Sequence, residues 1–126
     1  MIFDRLFTQS TILEAAMQAT QYKNQVIVNN IANADTPNYK SKTVNFEGAL
    51  AEAINKTKET GVNHMGSVMS NIQVTTKENI TTLDGNSIDV ETEMINFYKN
   101  STKYDVIVNS VLSNSSRTDA VYSTFK

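Results

Sequence analysis

Val90-Glu91-Thr92-Glu93-Met94-Ile95-Asn96-Phe97-Tyr98 opens the most regular stretch of the chain. Stepping alternately by four and three from Val90 meets Met94, Phe97, Ser101, Tyr104, Val108, Val111, Ser115, Thr118, Tyr122 and Phe125, a 3.5-residue repeat. No Gly or Pro interrupts it, so it predicts one helix over residues 89–126, about 54 Å long. Asp89 stands where an N-cap belongs. Its carboxylate can accept an orphan N–H of the first turn, and Glu91 and Glu93 then lie near the positive end of the helix dipole. The polar steps at Ser101, Ser115 and Thr118 weaken a simple two-helix seam and suit close packing among several helices.

The opposite end of the chain carries the same period. Residues 1–34 contain neither Gly nor Pro, and from Leu6 the same stepping meets Ser10, Leu13, Met17, Thr20, Asn24, Ile27, Ile31 and Ala34. A second stripe, Ile12, Ala16, Ala19 and Val26, follows another flank, which predicts a helix covered from more than one side, about 39 Å long over its regular part from Thr8. The C-terminal helix also has flanking apolar residues at Ile95, Tyr98, Ile107 and Leu112. The expected fold is therefore mainly α: two long terminal helices pairing as a coiled-coil-like hairpin in a single domain, 1–126. The expected seam and assembly residues are Leu13, Met17, Ile27 and Ile31 against Val90, Met94, Phe97, Tyr104, Val108, Val111, Tyr122 and Phe125. Two helices bury only one seam between them, so the leftover stripes predict lateral assembly. A free monomer is expected to be only partly folded.

Residues 35–88 join the helices and are expected to be irregular. Pro37 removes a backbone donor and disfavours helical geometry at Thr36, and Asn38 follows it at a turn position that tolerates positive φ. A short helix is expected over residues 46–57. The β-prone runs 72–76 and 79–83 suggest a small β-hairpin around Lys77-Glu78. The segment as a whole is expected to hold little core of its own.

Composition narrows the functions. The net charge of −2 and pI near 5.3 argue against nucleic acid as a partner, because phosphate binding needs a clustered positive field. There is no cysteine, which removes disulfides, thiolate catalysis and Cys-ligated zinc. Asn, Ser and Thr supply 41 of the 126 residues, giving surfaces that are polar yet weakly charged. In so Asn-rich a chain, the glycosylation-like triplets at Asn55, Asn79, Asn100 and Asn114 arise by chance. His64, the one histidine, stands without companions for catalysis or metal binding. No catalytic residue, cofactor, metal or small-molecule substrate is expected. The first residues lack the apolar core of a secretory signal, and no run is long and apolar enough to span a bilayer.

Three short segments resemble one known family. Asn29-Asn30-Ile31-Ala32-Asn33-Ala34-Asp35-Thr36-Pro37-Asn38-Tyr39 is similar to the signature that closes the first helix in the flagellar rod and hook family, with Asn38 where Gly is usual. Val44-Asn45-Phe46-Glu47 follows it. Leu83-Asp84-Gly85-Asn86-Ser87-Ile88-Asp89, leading into Glu93-Met94 and Tyr104, resembles the short proximal-rod branch of that family. The resemblance implies a structural subunit whose terminal helices form the wall of an axial tube in the basal body. It also implies export through the flagellar type III apparatus without a cleaved signal. The implied partners are copies of the chain, other rod proteins, and the small basal-body protein joining the rod to the membrane ring and export gate. For Asn29, Asn30 and Asn33 two readings stand: they face solvent, or they hydrogen-bond between adjacent subunits. The rival to a rod subunit is a coiled-coil adaptor or export chaperone that does not polymerise.

Overall fold

The computed structural model describes residues 2–78, 83 and 88–125 of the chain. In chain order it runs α1 (Ile2–Ala32), β1 (Lys42–Asn45), α2 (Glu47–Thr60), two single 3₁₀ turns (Met65–Ser67 and Met69–Asn71), β2 (Gln73–Thr76) and α3 (Val90–Thr124). The two long terminal helices lie antiparallel, so that Asn30 meets Glu93 at one level and Asn24 meets Asn100 and Ser101 at another. The mainly α hairpin is as expected, with both helix ends within a few residues of those read from periodicity.

The middle segment departs from expectation in two ways. Strand β2 forms over the anticipated residues, but it pairs with β1: Lys42 opposes Thr76, Val44 opposes Val74 and Asn45 opposes Gln73 in an antiparallel register. The Lys77 N–H donates to the Ser41 carbonyl at 2.8 Å and extends the ladder by one step. Apart from Leu83, the run once matched to β2 (residues 79–83) lies outside the described residues. Pairing with β1 has a physical advantage, since it sets Val44, 2% exposed, against the helical hairpin. The ribbon thereby closes a loop that holds α2 and both 3₁₀ turns.

The second departure is that this loop has a core. Ala49 and Ala53 of α2, with Met65 and Val68 of the 3₁₀ turns, pack on Ala15 of α1, and Ile12, Leu50, Ile54 and Ile72 ring them. Helix α2 is short and carries one narrow apolar face, so by itself it would be marginal; packing supplies its stability. Gly61 at φ 70° ends it, its N–H donating to the Thr57 carbonyl at 3.0 Å. Helix α1 is thus covered on two sides, by α2 and the 3₁₀ turns on one and by α3 on the other, which accounts for its two stripes.

Between α1 and α3 the period is as read but the phase is not. The residues of α3 turned inward are Glu93, Phe97, Asn100, Tyr104, Ile107, Val111, Asn114, Thr118 and Val121, all buried or half-buried. Phe97, Tyr104, Val111 and Thr118 belong to the predicted stripe. Three of the alternate positions are displaced by one residue, from Met94 to Glu93, Ser115 to Asn114 and Tyr122 to Val121, while Ser101 and Val108 stay half-buried beside Asn100 and Ile107. The reason lies in α1. Ala16, Ala19 and Thr20 are small and nearly fully buried, so α3 approaches closely enough for Asn100 Nδ2 to donate to the Thr20 carbonyl at 2.8 Å and to Asn24 Oδ1 at 3.0 Å. Asn24 Nδ2 donates in turn to Ser101 Oγ at 3.3 Å. Acceptors waiting on α1 fix Asn100 at the inner position beside Ser101.

Candidate assembly interface

The turn after α1 is built around Asn30, which is 1% exposed. Its side-chain Nδ2 donates to the Lys42 carbonyl at 2.8 Å and to Glu93 Oε2 at 3.0 Å, while its Oδ1 accepts from the Lys42 N–H at 3.0 Å and from the Tyr39 hydroxyl at 3.5 Å. Both amide donors and the carbonyl are thereby used, so one side chain ties the end of α1 to the start of β1 and to the first turn of α3. Neither reading made for Asn30 from sequence, solvent exposure or a bond to a neighbouring subunit, describes it. Asn29 is exposed, and its carbonyl accepts from Asn33 Nδ2 at 2.8 Å; Asn33 Oδ1 accepts from the Thr36 hydroxyl at 3.1 Å. Ala32, Thr36 and Pro37 are exposed, Ile31 and Tyr39 half-buried. Asn38 adopts φ 61°, the left-handed geometry expected where the family has Gly.

The first turn of α3 is capped as anticipated. Asp89 accepts from the Thr92 N–H at 3.3 Å and the Thr92 hydroxyl at 3.0 Å, and the Thr92 contacts, with help from the Glu91 N–H and the Lys77 charge, hold its carboxyl below the usual range. Glu93 does more than stabilise the helix end, because its carboxylate also receives Asn30. Further along, Glu47 at the start of α2 meets Lys23 of α1 at 3.5 Å and Lys103 of α3 at 3.4 Å. Burial works against its charge, but its own backbone N–H and the two lysines outweigh that and leave its pKa lowered. Lys23 also lies 5.4 Å from the centre of the Phe46 ring. These exposed ion pairs each contribute little, yet they join three helices at one point. Asp84, Gly85 and Asn86 of the expected motif fall outside the described residues.

The phase of α3 leaves a second set of its apolar residues outside. Met94, Ile95, Tyr98, Val106, Leu112, Tyr122 and Phe125 are all exposed, as are Val90 and, on α1, Val28. Val28 and Ile31 with Met94, Phe97 and Tyr98 line a shallow, almost wholly apolar groove at the turn end of the hairpin. The Phe97 and Tyr98 rings meet edge to face, 5.9 Å between centres. Of the other anticipated seam residues, Ile27 is buried and Leu13, Met17, Tyr104, Val108 and Val111 are half-buried. Sequence reasoning missed Asn100 and Asn114, buried at 3% and 5%, although their spacing of two heptads on α3 was visible. It also missed Glu93 as a contact of Asn30. His64, which sequence left without a role, sits with Nε2 3.0 Å from the Thr60 hydroxyl.

An antiparallel hairpin of two long helices, with two amides buried in its seam and apolar stripes on its outer face, defines a class of elongated α-helical protein. Comparison with known proteins says which. The family model described as flagella basal body rod protein matches residues 12–40, the span from mid-α1 through the Asn30 turn. The flagellar basal body rod protein FlgB of Bacillus subtilis is 34% identical over 101 residues, covering 76% of this chain and 78% of that protein. FlgB of Aeromonas hydrophila is 33% identical over 109 residues, with 81% and 80% covered, and FlgB of Salmonella typhimurium 26% over 118 residues, with 83% and 86% covered. The chain belongs to the FlgB family of flagellar basal body rod proteins.

Proposed function

We propose that this chain is a structural subunit of the proximal rod of the flagellar basal body and polymerises through the apolar stripes its own fold leaves open. The observation that carries the reading is the phase of α3, which buries Asn100 and Asn114, half-buries Glu93 and leaves Met94, Tyr98, Leu112 and Phe125 exposed. A chain built to remain alone in water gains by the opposite arrangement. Hairpins packed side by side would cover these stripes and give a helical tube inside the cell envelope. Val90, Met94, Tyr122 and Phe125 are assigned to contacts between subunits, while Leu13, Met17, Phe97, Tyr104, Val108 and Val111 serve the hairpin seam and its flanks.

Family membership supports the choice of neighbours: copies of the chain, other rod proteins, and the small basal-body protein between rod, membrane ring and export gate. Subunits would reach the site through the flagellar type III export apparatus. Their task is mechanical, passing torque as load between interlocked helices, and it calls for no catalysis, cofactor or nucleic acid. The test is swimming motility and electron microscopy of basal bodies in a strain deleted for the chain. Loss of swimming with rods absent, restored by the wild type but not by a helical, expressed Met94→Asp variant, is expected. Intact rods with impaired export of other subunits would overturn the reading in favour of an adaptor.

A further inference from the structure

Lys23 of α1, Lys42 of β1, and Lys99 and Lys103 of α3 line one cleft of about 220 Å³ between the helical hairpin and the ribbon. These cations are scattered in sequence, and the fold gathers four of the chain's 11 lysines and arginines in one place. Val26, Ile27 and Val44, all buried, add an apolar wall, against which a charge is less screened than in open water. One carboxylate lines the cleft, that of Glu93, and it already receives Nδ2 of Asn30. A second, Glu47, lies 3.5 Å from Lys23 and 3.4 Å from Lys103. Lys42 and Lys99 have no ion-pair partner among the described residues. Outside the cleft, Asp89 and Glu91 at the start of α3 are matched in number by Lys40 and Lys77 beside the ribbon, with the Lys77 charge acting on Asp89.

We propose that this cleft binds a phosphate-type dianion, held by Lys42 and Lys99 with Lys23 and Lys103 in support, and that the bound ion ties α1, β1 and α3 together. Two lysines without partners match two negative charges. The volume lies below the roughly 300–1,000 Å³ of sites for drug-sized ligands, so a lone phosphoryl group fits better than a nucleotide. Lysine binds phosphate as a point charge, whereas the planar fork that matches a carboxylate belongs to Arg, and no Arg lines the cleft. Thr43 and Asn96 add a hydroxyl and an amide that can donate. Inorganic phosphate and a phosphomonoester lipid headgroup carry the same chemistry.

The test titrates the full chain with inorganic phosphate at constant ionic strength, followed by amide-resolved NMR and by melting temperature. Saturable shifts at Thr43, Asn96 and Lys99 are expected, with a rise in melting temperature as the folded state is bound. Lys42→Gln and Lys99→Gln together should weaken binding at least about tenfold. Glu93→Gln, whose amide oxygen can still accept from Asn30, should tighten it, and Lys58→Gln at the far end of α2 should change nothing. Such opposite responses to changes of charge do not come from loss of folding, and circular dichroism checks the helicity of each variant. Flotation with phosphatidic acid vesicles but not phosphatidylcholine vesicles, lost in the double variant, assigns the phosphate to a lipid headgroup; saturable shifts without flotation assign it to the free ion. No saturable shift up to tens of millimolar phosphate, or shifts that the double variant leaves unchanged, overturn the site. Binding of a polyglutamate peptide without binding of phosphate overturns it in favour of an acidic protein partner.

Discussion

Asn30 and Glu93, 63 positions apart in sequence, share a hydrogen bond of 3.0 Å from Nδ2 to Oε2, and the same amide closes on both backbone groups of Lys42. Asn30→Ala removes a partner from four polar groups, the Tyr39 hydroxyl included, and is expected to cost about 1–3 kcal/mol. Asn30→Asp is the sharper test. It keeps the shape but sets a second carboxylate against Glu93 and an acceptor against the Lys42 carbonyl. Like charges raise the folded pKa of the pair, so the folded state holds more protons than the unfolded one. Stability should therefore rise as pH falls from 7 towards 5, whereas the lowered carboxylates of the wild type lose their contribution only below about pH 5. Thermal unfolding followed by circular dichroism at several pH values reads this out, and a variant whose melting temperature falls on acidification would show that the two groups do not face each other.

Asn100 and Asn114 occupy equivalent heptad positions two repeats apart and should respond oppositely to replacement. Asn100 donates to the Thr20 carbonyl and to Asn24, so Asn100→Leu strands both acceptors and is expected to lose about 1–3 kcal/mol. Each amide has a buried Oδ1 with no partner among the described residues, but Asn114 lies beside an open groove lined by Gln9, Val106 and Ser110. Asn114→Leu removes that unsatisfied acceptor and has room for its branches, so it should raise stability by about 1 kcal/mol. Urea unfolding of both variants compares them; destabilisation of equal size would mean that Asn114 is held by a bond of its own.

This pair also marks where reading the sequence succeeded and where it stopped. A 3.5-residue period announces a long helix and a paired seam whatever the chain packs against, and both terminal helices were evident from it. Phase is another matter. Met94 and Glu93 differ by one step, and hydrophobicity favours Met94; the decision rests on Thr20 and Asn24 of α1, some 76–80 residues away from Asn100. The same holds for the middle segment. Ala49, Ala53, Met65 and Val68 form no regular pattern, and β2 finds its partner across the whole of α2. Asn30 was conspicuous as part of a motif, yet an amide offers donors and acceptors alike, so its type alone could not say which groups it would satisfy.

Asn38 holds φ 61° in the turn after Pro37. Asn tolerates that region because of its short polar side chain, and a β-branched residue does not. Asn38→Val is expected to cost about 1–2 kcal/mol, whereas Asn38→Gly should leave stability within about 1 kcal/mol of the wild type, as easier native geometry offsets a freer unfolded chain. Comparing melting temperatures of the two variants is sufficient. Equal losses would place the energetic weight of position 38 in its side-chain contacts instead of its backbone.

Among the described residues, three carboxylates have their pKa lowered by their neighbours. Burial opposes the charge of Glu47, but its backbone N–H, Lys23 and Lys103 prevail; Lys56 lowers Glu52; and Thr92 lowers Asp89. Each has a folded pKa below its unfolded one, so in the window between them the unfolded chain binds more protons and stability rises with pH. Their contribution is complete above about pH 5 and fades as pH drops through about 4 and below. Asp89→Asn separates the cap from the charge, since Asn caps a helix about as well as Asp but does not titrate. The variant should match the wild type's helicity near neutrality and lose less melting temperature between pH 5 and 3. Identical acid sensitivity in the two chains would show that ionisation of Asp89 adds nothing to the start of α3, leaving the Thr92 hydrogen bonds as the whole of its effect.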